Sequence, residues 1–94
     1  MKDLVLAKFY WNCGRMGDVE GIFFTTKEDI QKAIGKTVYF GEILGKHSEV
    51  YGTLHEKDIE ILIDDHALVN ILKEKLVNNT VSGYNPFEYM GEDG

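Results

Sequence analysis

Cysteine and proline are nearly absent: Cys13 and Pro86 are single copies in 94 residues. One cysteine excludes an intramolecular disulfide and a multi-cysteine zinc site. One proline beside ten glycines excludes a collagen-like or proline-rich linker chain. Long apolar runs are missing as well. The opening run, Leu4-Val5-Leu6-Ala7, stops at Lys8, well short of the roughly 7–15 residues of a secretory core or the roughly 20 of a spanning helix. No membrane association and a cytoplasmic location are therefore expected, and the unpaired Cys13 fits that compartment. Basic charge is scarce in one half only. Residues 51–94 carry three basic and nine acidic side chains, whereas residues 1–50 carry seven of each, so the formal charge of −6 falls in the C-terminal half. This argues against direct nucleic-acid binding, where lysine and arginine must displace counterions along the phosphates. It is compatible with a protein partner that has a basic surface, with mimicry of a nucleic acid, or with solubility alone.

What is present is ordinary globular composition, 44% hydrophobic and 28% charged, which excludes disorder as the default. The length predicts one domain over 1–94. Leu4 to Trp11 reads as a strand with Val5, Ala7, Phe9 and Trp11 on one face and Leu4, Leu6, Lys8 and Tyr10 on the other. A turn-rich stretch, Asn12 to Asp18, leads to a second strand at Val19 to Thr25. Thr25 or Thr26 then caps a short helix whose Ile30, Ala33 and Ile34 share a face, with Gly35 as the stop. Thr37 to Ile43 and Glu49 to Leu54 read as a hairpin. A three-residue Gly45-Lys46-His47 loop keeps Val38 and Phe40 on the face of Val50, Gly52 and Leu54. A two-residue loop would instead oppose Glu42 and Glu49, which repel.

Asp58 to Ile63 alternates, with Ile59, Ile61 and Ile63 inward and Glu60 outward. Asp64 or Asp65 caps a second helix running to about Val77 and expected to bury Leu68, Ile71, Leu72 and Leu76. The order β-β-α-β-β-β-α predicts an α+β fold of two layers, a sheet of about five mostly antiparallel strands with both helices on one face. The tail, 78–94, is expected to lie back over the sheet or to fray from it.

Three groups of residues carry possible chemistry. Arg15 stands between Gly14 and Gly17 behind Tyr10 and Trp11, which suggests an anion clamp beside aromatic stacking surfaces. Lys46 and His47, at the hairpin tip, would close over such a ligand, with an oligomer completing the pocket. The competing reading is a turn with a solvated arginine and core aromatics. The second group is acidic: Glu56, Asp58, Glu60, Asp64 and Asp65 would meet a basic partner, although Asp64 and Asp65 also serve as helix caps. The third is the tail, where Tyr84, Phe87 and Tyr89 resemble a protein contact surface or, equally, the closure of a small core. A metal at His55, Asp64 and His66 is conceivable, and an acid–base pair of His47 with Glu42 or Glu49 is the least implausible catalytic set. Arg15 would lower the pKa of Cys13. Gly35-Lys36-Thr37 lacks the first glycine of a phosphate loop, since position 30 is Ile30.

Gly14-Arg15-Met16-Gly17, Ile34-Gly35-Lys36, Tyr39-Phe40-Gly41-Glu42 and Gly45-Lys46-His47-Ser48-Glu49 resemble a group of small proteins from bacteria and their phages. The resemblance covers about half the chain and transfers no functional residue. It implies a phage or mobile-element accessory protein, a class whose small acidic members bind host machinery. The reading that follows is a non-enzymatic acidic binding protein, a phage-type inhibitor of a host defence or nucleic-acid enzyme that acts by protein contact. It needs no cofactor and no metal. The alternative is a protein that binds a small nucleotide-like anion. An unpaired strand edge leaves a homo-oligomer open.

Overall fold

The computed structural model describes residues 3–45 and 49–90. The chain is α+β, as the element order predicts, and every strand pairing is antiparallel. Six strands, β1 (Leu4–Asn12), β2 (Asp18–Thr26), β3 (Thr37–Gly41), β4 (Val50–Thr53), β5 (Ile59–Ile63) and β6 (Thr80–Gly83), join two helices, α1 (Lys27–Ala33) and α2 (His66–Leu76). They form a four-stranded sheet of order β5-β1-β2-β6 and a separate β3-β4 hairpin.

Alternation builds the core directly. Val5, Ala7 and Phe9 of β1 and Val19 and Phe23 of β2 are fully buried on one sheet face. Ile30 and Ala33 of α1, Val38 and Phe40 of β3, and Val50 and Leu54 close over them. Thr26 is the cap of α1, its Oγ1 accepting from Asp29 N at 3.0 Å. Thr25, one residue earlier, faces this core with its hydroxyl buried and without a hydrogen-bond partner. Thr25→Val is therefore expected to raise stability by about 1 kcal/mol, since an isosteric methyl removes an unmet polar group; a lower urea midpoint would contradict this.

The hairpin keeps its predicted apolar face but not its predicted loop. Val38 lies opposite Gly52 and Tyr39 opposite Tyr51, and the ladder ends at Gly41 and Val50 after an irregularity. Ile43 and Leu44 pack against the core instead of extending the strand, so burial of two apolar side chains outweighs two more rungs. Residues 46–48 lie outside the described residues.

Three further departures come from the sheet's layout. The tail contributes a strand, β6, beside β2. The two helices lie on opposite faces: β5 and β6 occupy opposite edges, so the chain between them must cross β1 and β2. The crossing uses the reverse face, where Phe24 is buried outside the main cluster and where His66 Nδ1 donates to Leu4 O at 2.9 Å. On that face α2 buries Val69, while Leu68 and Ile71 remain 44% and 52% exposed. Its apolar stripe is wider than the strip of sheet beneath it. Ile59 and Ile63 of β5 are half-buried and Ile61 is exposed, as suits an edge strand covered on one side.

Candidate functional site

The glycine loop after β1 is closed on itself. Cys13 N donates to Gly17 O, Gly17 N to Gly14 O, and Gly14 N to Asn12 Oδ1, at 2.9, 3.1 and 2.9 Å. Those N–H groups are spent on the turn and cannot cradle an anion. Arg15 is exposed on the outside of this loop. Tyr10 and Trp11, being adjacent in a strand, point to opposite sheet faces. Trp11 sits in the edge of the core, its ring 5.1 Å from Phe9 and 5.7 Å from Phe40. Tyr10 lies on the reverse face, where the Asp18 carboxylate beside its hydroxyl raises its pKa. The structure therefore does not bring Tyr10, Trp11 and Arg15 to one ligand. Lys46 and His47 lie outside the described residues. Cys13 is also not activated: burial first, and then Asp18, push its thiol pKa up rather than down.

The tail aromatics close the core. Phe87 packs on Phe23 at 5.4 Å, while Tyr84 and Tyr89 flank Phe40 at 5.9 and 4.7 Å. All three are half-buried. Asn85 holds the turn that aims them, its Oδ1 accepting from Phe87 N and its Nδ2 donating to Thr80 Oγ1.

The acidic residues divide by what they already hold. Asp58 is structural: its Oδ2 accepts from Trp11 Nε1 at 2.8 Å and from His55 N at 2.9 Å. Asp65 caps α2, accepting from Leu68 N. Asp64 pairs with Lys27 of α1 at 2.7 Å. That contact holds the Asp64 carboxyl below its usual range, against partial desolvation, with the charges of Lys27 and His66 adding to it. A carboxylate depressed in the folded state stabilises above its unfolded pKa, and the contribution is lost as pH falls through the folded value. Lys27→Met should therefore raise the Asp64 titration midpoint in a carboxyl-detected NMR series, and an unmoved midpoint would remove this account.

Glu56 and Glu60 are different. Both are exposed, and neither pairs with another described residue. Residues 56–65 carry five carboxylates against Lys57 alone, and they run along β5 and its flanks. No described strand pairs with the outer edge of β5. Exposed Ile61 and Leu62 lie along the same edge. His55 and His66 fall at opposite ends of β5, and among the described residues no group of three His, Cys, Asp or Glu is placed to hold a metal. Among the described residues no helix is long and apolar enough to cross a membrane.

The outward face of the hairpin follows from the same alternation. With Val38 and Phe40 inward, Tyr39 must face out, and Tyr51 opposite it likewise. They are 51% and 63% exposed, with ring centroids 6.1 Å apart. The Glu49 carboxylate beside the Tyr39 hydroxyl raises that phenol's pKa. Beside them an open groove of about 330 Å³ runs between residues 49–53 and Trp11, Asn12 and Cys13. Comparison with known protein families, curated proteins and solved structures returns no match.

Proposed function

We propose that this chain is a non-catalytic binding protein that acts by protein–protein contact, presenting the acidic β5 edge to a partner with a basic surface. The observation that carries this is the outer edge of β5, which no described strand pairs with, flanked by Glu56 and Glu60, whose carboxylates pair with no other described residue. An edge strand offers a row of backbone donors and acceptors to an incoming segment. Here the acidic border discriminates among the segments that can use it. A second copy of the same edge is repelled, and so is a phosphate backbone, whereas a surface rich in lysine and arginine is attracted. The basic groove of a nucleic-acid enzyme is the class of target that fits, and blocking it would make this chain an inhibitor.

Three of the five predicted contact carboxylates have local duties, so the test falls on the other two. With the partner captured, identified and purified, association kinetics are measured across a salt series. Glu56→Gln with Glu60→Gln is expected to slow association severalfold and flatten its salt dependence, leaving the folded chain intact. Unchanged kinetics in that double variant would refute the acidic-edge mechanism.

A further inference from the structure

We propose that the groove between the free edge of β4 and the end of β1 is a second docking site, which takes an extended peptide segment carrying a lysine or arginine. It uses residues apart from the β5 edge and does not depend on that reading.

The backbone supplies the first reason. β4 pairs with β3 on one side and with no described strand on the other. Leu54 N donates to Lys36 O and Leu54 O accepts from Gly35 N, so the polar groups of Leu54 turn toward the β3 side. By alternation the N–H and C=O groups of Tyr51 and Thr53 turn the other way, into the groove. An added strand would find two donor–acceptor pairs there, spaced for residues i and i+2.

The floor supplies the second reason. Gly52 has no side chain, and a Cβ there would stand 3.4 Å from the Trp11 ring. The indole therefore reaches up against the strand and forms part of the groove lining. Its N–H is already donated to Asp58, so what Trp11 brings to the groove is its ring rather than a hydrogen bond. The face of such a ring attracts a cation placed over it.

Charge supplies the third. Glu49 stands exposed at one end, and no lysine or arginine is among the described residues lining the groove. Among the described groups, Glu49 and Glu42 raise the Tyr39 phenol near one end, and Asp18, after burial, raises the Cys13 thiol near the other. A lysine or arginine on the added strand lies over Trp11 or meets Glu49 in a charge-assisted hydrogen bond. Self-pairing is disfavoured, because a second copy brings another Glu49 and a net charge of −6.

Trp11 is the sole tryptophan, so its emission reports occupancy without a label. The probe is a capped heptapeptide alternating valine and lysine, with a valine–glutamate heptapeptide as control. The basic peptide is expected to change Trp11 emission saturably, and the acidic one to bind about tenfold more weakly or not at all. Glu49→Gln should weaken the basic peptide about three- to fivefold, the size of one exposed ion pair. Thr53→Pro removes one groove-facing N–H without breaking a β3 bond and should weaken it further, with far-UV circular dichroism verifying the fold. Equal binding of the two peptides, no saturable change, or wild-type affinity in both variants would overturn the proposal. The double variant of Glu56 and Glu60 should bind the probe as wild type does. Were it to lose the peptide while Glu49→Gln kept it, the peptide would be on β5 and the groove proposal would fail.

Discussion

Phe40→Ala is expected to cost about 4 kcal/mol, close to the whole stability of a domain this small. Large-to-alanine changes at buried aromatics cost about 3–5 kcal/mol, and a chain of this length has roughly 5–10 kcal/mol to lose. Phe40 falls in the middle of that range: three parts of the chain meet on it, and they are also joined by the Val38–Met90 bridge and the Phe23–Phe87 contact. Its ring lies 5.7 Å from both Phe9 and Trp11 of β1, and 5.9 and 4.7 Å from Tyr84 and Tyr89 of the tail. The hairpin, the large sheet and residues 84–89 therefore meet on one side chain, itself almost fully buried. Removing it leaves a cavity bordered by three separate segments, none of which can collapse without dragging its strand. Urea unfolding followed by Trp11 emission checks this, and a loss below about 1.5 kcal/mol, the range of tolerated repacking, would show that Phe40 is not the junction described. Phe40→Leu, which keeps most of the volume, should cost far less.

Gly21→Ala should be nearly as damaging, for a steric reason. β2 and β6 approach at Gly21 and Gly83, which are register partners. A Cβ on Gly21 would stand 2.0 Å from Tyr84 O and 2.5 Å from Tyr84 N. Both obstacles are backbone, and Tyr84 N is held by Glu20 O at 3.0 Å, so no rotamer change relieves the clash. Gly83 mirrors it with a positive φ of 69° and a Cβ position 2.2 Å from Glu20 O. The added methyl must push β6 off β2, at about 3 kcal/mol, the upper range for overpacking. Tyr84 and Tyr89 follow β6 out of the core. Hydrogen exchange at Ser82 and Tyr84 should accelerate by orders of magnitude while β1 stays protected, and native protection at both amides would contradict the close approach.

These two residues show where sequence reading stops. Phe40 belongs to an alternating run, and its burial follows from its neighbours. Gly21 reads as an ordinary weak point in a strand until β6 is placed beside it. β6 itself, Thr-Val-Ser-Gly, has too little strand character to be found without its partner, some 60 residues earlier. The acidic site divides in the same way. That residues 56–65 are acidic is plain from the chain, but that Asp58 is held by Trp11, 47 residues away, is not. That Tyr10 and Trp11 do not share one face of a pocket follows from the strand period itself, since neighbours in a strand face apart. Tyr39 and Tyr51 were open to the same argument.

By itself the sequence determined the strands β1 to β5, the helix starts to within a residue (Thr25 or Thr26, Asp64 or Asp65), the inward face of the hairpin and the concentration of acid in one half. Each is set by side chains within a few residues of one another: alternation, capping and local charge. The tertiary structure alone decided that α2 crosses the reverse face with Leu68 and Ile71 uncovered, and that the tail supplies a strand and core aromatics. It alone left Glu56 and Glu60, among the described residues, without a local ion pair or cap at the β5 edge. Those outcomes turn on which distant surfaces meet, and that is a property of the assembled layers, where the area available beneath a helix or beside a strand edge limits what each can bury.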